Sequence, residues 1–152
     1  MKVLTWIAGA ALTLLGGCFQ DNTAQRSSFL PLDYQTTFRP VRDCRQVVEH
    51  QNSYQKVLTN PVASDPYTTA SYPLPVGSVV VAEQYGDDSS CGSLNGYYLM
   101  AKEKQGYDNA GNDWHWQKLD LNGRIEQDGK LQACASCHQA KCAASDYLCS
   151  PQ

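Results

Sequence analysis

Cys134 and Cys137 stand three residues apart, and His138 follows the second thiol directly. Few chemistries use two thiols and an imidazole at that spacing. The thiols can cycle between dithiol and disulfide as a redox centre. With Cys142 as a fourth donor they can hold a structural zinc ion. In the third chemistry, each thiol adds to one vinyl group of a haem, and the adjoining imidazole coordinates the iron from one side. The compartment in which the chain works decides among these, and the N-terminus speaks to that.

Residues 1–17 read as an export signal. Lys2 supplies the positive start, an apolar run follows, and Leu15-Gly16-Gly17-Cys18 closes it. That ending resembles a bacterial lipobox, so cleavage is expected before Cys18, with lipid on its thiol. The apolar run is shorter than the roughly 20 residues that span a bilayer. The expected location is periplasmic or cell-surface, with a membrane anchor through Cys18. Such a compartment is oxidising and disfavours free zinc-binding thiolates. Of the 7 cysteines, one takes lipid and two take haem, leaving Cys44, Cys91, Cys142 and Cys149. Two disulfides are expected among these four, in any of three pairings. A Cys142–Cys149 bridge requires a chain break near Ser145-Asp146, because a continuous helix would place the two about 10 Å apart along its axis.

The elements that must position these groups can be read in outline. Residues 18–40 have no hydrophobic period and read as a tether, leaving 41–152 as the folded domain. Over 42–59, Val47, Val48, Tyr54, Val57 and Leu58 fall near one helical face, with Asn60-Pro61 as the stop. Asp65-Pro66 and Tyr72-Pro73-Leu74-Pro75 read as loop. Strands are expected over 77–85 and 96–104. A third covers 114–119, where Trp114 and Trp116 share one face and His115 takes the other. Asn122-Gly123 is a two-residue hairpin signal. The expected fold is α+β, mainly antiparallel sheet, with an N-terminal helix and a C-terminal haem-attachment helix. The net charge of −3 argues against a nucleic-acid partner.

These segments, in this order, resemble the cytochrome P-460 family, which includes the β-type cytochromes c′. The resemblance is carried by Tyr72-Pro73, by Gly77-Ser78-Val79-Val80-Val81-Ala82-Glu83-Gln84-Tyr85 and by Gly96-Tyr97-Tyr98-Leu99-Met100-Ala101-Lys102. It continues through Asn112-Asp113-Trp114-His115-Trp116, Asp120-Leu121-Asn122-Gly123, the Cys134–His138 motif and Asp146-Tyr147. It implies a mainly antiparallel β fold, often homodimeric, with one haem c per chain on Cys134 and Cys137 and His138 as the proximal iron ligand. Members that oxidise hydroxylamine carry a lysine cross-linked to the haem. This chain has Ala82 at the matching place and no lysine over 77–85. The family's distal carboxylate has two candidates here, Glu103 and Asp108. A distal phenylalanine pair is not expected, since Phe19, Phe29 and Phe38 all precede the expected domain.

The remaining candidates have ordinary explanations beside them. His50 and His115 suit surface or hydrogen-bonded positions, and Met100 suits packing in a buried strand. Arg39, Arg42, Arg45 and Lys102 are candidates for pairing with haem propionates. Trp114 and Trp116 suit a haem wall or the core. The sequence therefore points to an exported c-type haem protein that binds a small ligand such as nitric oxide, transfers electrons, or does both, with a redox protein as possible partner. Oxidation of hydroxylamine or a related nitrogen compound is the alternative, disfavoured by Ala82.

Overall fold

A computed structural model describes residues 27–149. Its centre is a six-stranded sheet in which every neighbouring pair is antiparallel and strand order follows the sequence. The strands are β1 (Arg39–Val47), β2 (Ser53–Thr59), β3 (Val79–Gln84), β4 (Gly96–Lys102), β5 (Trp114–Asp120) and β6 (Ile125–Gly129). Three helices accompany them: α1 (Tyr34–Thr37), α2 (Pro61–Thr68) and α3 (Gln132–Cys142). The α+β class, the dominance of antiparallel sheet and the C-terminal helix agree with the sequence reading.

Alternation along the strands divides the apolar residues between two faces. On one face Val57, Val80, Met100, Trp114 and Trp116 pack with Tyr67 of α2, Ala135 of α3, and Leu148. On the other, Leu58, Val81, Tyr97, Leu99 and Leu119 pack with Tyr34 and Phe38. The second face shows why 27–38 is not a free tether. Tyr34 and Phe38 are buried, Phe29 and Leu30 pack beside them, and Gln117 bonds both Phe29 N and Ser27 O. The tyrosine hydroxyl donates to buried Glu83 over 2.7 Å. Without this segment an apolar sheet face would meet water.

The helix expected over 42–59 is instead the β1–β2 hairpin. Val57 and Leu58 point to opposite faces, each into a different cluster. Val48–His50 form one 3-10 turn, and Gln51 and Asn52 follow with φ of 60° and 57°. Two left-handed residues in succession reverse the chain, which no helical period would permit. Asn60-Pro61, read as a helix stop, begins α2: the Asn60 side chain accepts from Ala63 N and Pro61 takes the first helical position. Asp65-Pro66 accordingly lies inside α2 rather than in a loop. Asn122-Gly123 does connect β5 to β6, with Asp120 N donating to Arg124 O.

The structure joins Cys44 to Cys91 and Cys142 to Cys149. The second bridge closes because α3 ends at Cys142. A 3-10 turn follows, and Asp146 and Tyr147 take left-handed conformations that bring the Cα atoms within 5.1 Å. Cys18 lies outside the described residues. Among those residues, no helix is long and apolar enough to cross a membrane.

Candidate haem site

The thiols of Cys134 and Cys137 are both unpaired, and with His138 they lie on α3, the helix that follows the last strand. All three line a cavity of about 650 Å³ between α3, the first sheet face and the tip of the β1–β2 hairpin. Register explains the sheet wall. Val57, Ala82, Tyr98 and Lys118 are direct cross-strand partners on β2, β3, β4 and β5, and all four line the cavity. Val80, Met100 and Trp116 form the next row.

His138 is held in one orientation. Its Nδ1–H donates to the Tyr147 carbonyl over 2.6 Å, which leaves Nε2 with its lone pair. Burial lowers the His138 pKa and so keeps the ring neutral, the form that binds metal. The Tyr147 carbonyl is in turn aimed by its neighbours. Asp146 and Tyr147 have φ of 54° and 66°, a conformation a bulky residue adopts only when its surroundings impose it. Asp146 is the anchor. Its carboxylate accepts from Lys102 Nζ at 2.6 Å, from Leu74 N at 2.7 Å and from the Asn112 side chain, and its carbonyl accepts from Trp114 Nε1.

The thiols do not resemble an activated redox pair. Burial first, and then Cys137, raises the Cys134 pKa, whereas dithiol oxidoreductases depend on a depressed one. A zinc site is a donor short, since the Cys142 sulfur is committed to Cys149. A large apolar-walled cavity does suit a planar, mostly apolar group. The donor set adds two unpaired thiols and an imidazole on one wall, which suits covalent attachment and iron ligation. The residues present therefore fit a haem.

The other expected candidates separate clearly. Ala82 lines the cavity and brings only a methyl group to it. Lys118, in the same row, is ion-paired with Glu126 at 2.7 Å. Glu103 and Asp108 do not line the cavity. Glu103 lies 3.4 Å from His115, on the far face of the sheet, where His115 also pairs with Asp128. Met100 is a buried core residue that also forms part of the cavity's sheet wall. Lys102 is consumed by Asp146 and Trp114, Arg39 pairs with Asp65, and Arg45 is exposed. Trp116 does meet His138, ring centre to ring centre at 4.8 Å. His50 also reaches the cavity, from the hairpin tip, with its ring 6.2 Å from that of His138. Sequence reasoning gave His50 a surface explanation because it placed that segment in a helix.

An antiparallel sheet with one covered face, and a cavity on the other bounded by a helix bearing two thiols and a neutral histidine, defines a sheet-built haem protein. A search of curated proteins found no match. Residues 31–150 match the model of the family described as cytochrome P460, and the chain belongs to that family. Membership makes it a haem-binding protein.

Proposed function

We propose that this chain is an exported c-type haem protein that carries electrons, binds a small ligand such as nitric oxide at its iron, or does both. Haem would be joined to Cys134 and Cys137 through thioether bonds, one per chain, with His138 Nε2 as the proximal ligand. The carrying observation is that both thiols and the oriented imidazole open into one cavity. When bound, the haem supplies a reducible iron that takes diatomic ligands. The chain fixes His138 through Tyr147 and surrounds the group with largely apolar side chains. Ala82 supports binding or electron transfer over hydroxylamine oxidation, since it offers the ring nothing to bond. Lipid on Cys18 would hold the protein on a membrane facing the periplasm or the exterior. A redox protein and a second copy of the chain are the proposed partners.

The test is denaturing mass spectrometry of protein matured with c-type machinery. One haem mass should remain with the polypeptide and disappear in Cys134→Ala/Cys137→Ala. A covalent haem that survives in the double variant would refute the attachment. Peptide mapping that finds a haem–lysine adduct would instead restore the enzymatic alternative.

A further inference from the structure

We propose that His50 is the second axial ligand of the haem iron, so that the resting protein is bis-histidine rather than open on its distal side. This rests on the haem reading above and adds a residue to it. The two rings come from different elements that both line the cavity, one from α3 and one from the β1–β2 tip. Two imidazoles bound end-on to one iron hold their ring centres about 6 Å apart, with about 2 Å per metal–nitrogen bond and about 1 Å from nitrogen to ring centre on each side. The observed separation is 6.2 Å, with the ring planes 83° apart. Side-by-side packing does not require that distance, since the His138–Trp116 pair sits at 4.8 Å.

The chemical state of His50 agrees. Among the described residues none hydrogen-bonds its nitrogens. An imidazole with no hydrogen-bond partner keeps a ring nitrogen free to coordinate a metal. The residue lines a cavity whose other side chains are largely apolar, with Tyr98 edge-on at 5.0 Å between ring centres. The supporting turn is well fixed. Asn52 N donates to Val48 O, Gln46 Nε2 donates to Asn52 O, and Tyr54 N donates to Gly86 O. Cys44, on the same strand, is tied to Cys91 in the β3–β4 connection. Glu49, beside His50, lies 3.6 Å from Lys141 of α3, so the tip and the haem helix already meet. A gaseous ligand would then bind by displacing His50, and the hairpin tip would report its arrival.

The experiment compares wild type, His50→Ala and His50→Met, each first shown to carry one covalent haem. Wild type should be low-spin in both oxidation states, with the strongly anisotropic ferric resonance expected of crossed imidazole planes. His50→Ala should turn high-spin and bind carbon monoxide at least about tenfold more tightly, the factor expected when a cap occupies the site nine-tenths of the time. Added imidazole should restore its low-spin spectrum. His50→Met should show a sulfur-to-iron band, a readout that a merely structural histidine would not produce. A high-spin wild type, or a low-spin spectrum unchanged in His50→Ala, would overturn the assignment while leaving the covalent haem intact. Absence of covalent haem from wild type would overturn both readings.

Discussion

Asp146 decides more of the site than any residue that faces the cavity. Its side chain is 1% exposed, and that of Lys102 opposite it is 8% exposed. A buried carboxylate and ammonium are tolerated because each is paired, and removing one leaves the other charged and unpaired. Asp146→Ala should therefore cost about 3–5 kcal/mol of stability, read from the shift in urea midpoint. It should also release the Tyr147 carbonyl, so haem that still attaches should show a broadened, heterogeneous spectrum as His138 loses its fixed orientation. Cys134, Cys137 and His138 were legible in the sequence because their chemistry depends on spacing along one helix. Asp146 as their support was not, because its partners Leu74, Lys102 and Asn112 are spread over the chain and no local pattern links them. The position of His50 at the cavity was not legible for the same reason: it depends on a neighbour far away in sequence.

At the scale of elements, the segment before β1 behaves as part of the core. Phe38 is 9% exposed and packs on the second sheet face with Tyr34, Leu58 and Val81. Phe38→Ala should lower stability by about 3–5 kcal/mol, checked by thermal or chemical unfolding. A tether residue truncated in the same way would change it little. The stretch hid from sequence reading because cover segments need only a few well-placed aromatics, not a period. The β1–β2 hairpin hid differently. Val47, Val48, Tyr54, Val57 and Leu58 fit a helical face, while its turn is made by Gln51 and Asn52 without a glycine. The later strands were legible because runs such as Val79-Val80-Val81 and the Asn122-Gly123 turn state their geometry locally.

For the whole molecule, the reach between anchor and body matters. The chain from Cys18 to Ser27 spans at most about 30 Å when extended. Lipid on Cys18 would thus keep the folded body close to the membrane, where a membrane-bound redox partner could reach it. Two acyl chains hold a protein stably where one binds only reversibly. Cys18→Ser should move the protein from the detergent phase to the aqueous phase and leave its haem spectrum unchanged. If partitioning stays the same, the anchor assignment fails.

If the chain is exported as proposed, the bridge from Cys44 to Cys91 also bears on the order of events during export. In a chain that crosses a membrane N-terminus first, Cys44 and Cys91 emerge before any of the four C-terminal cysteines. They can pair with each other while Cys134, Cys137, Cys142 and Cys149 are still behind. All six presented together would allow 15 complete pairings, and every one of these would consume both haem thiols. Sequential arrival reduces the contest to the last four. There the tight turn after α3 favours Cys149 as the partner of Cys142 and leaves Cys134 and Cys137 reduced for the cofactor. If the chain is exported and its haem attached as proposed, a motif that follows the Cys44–Cys91 pair would reach the maturation machinery late and with fewer competing thiols.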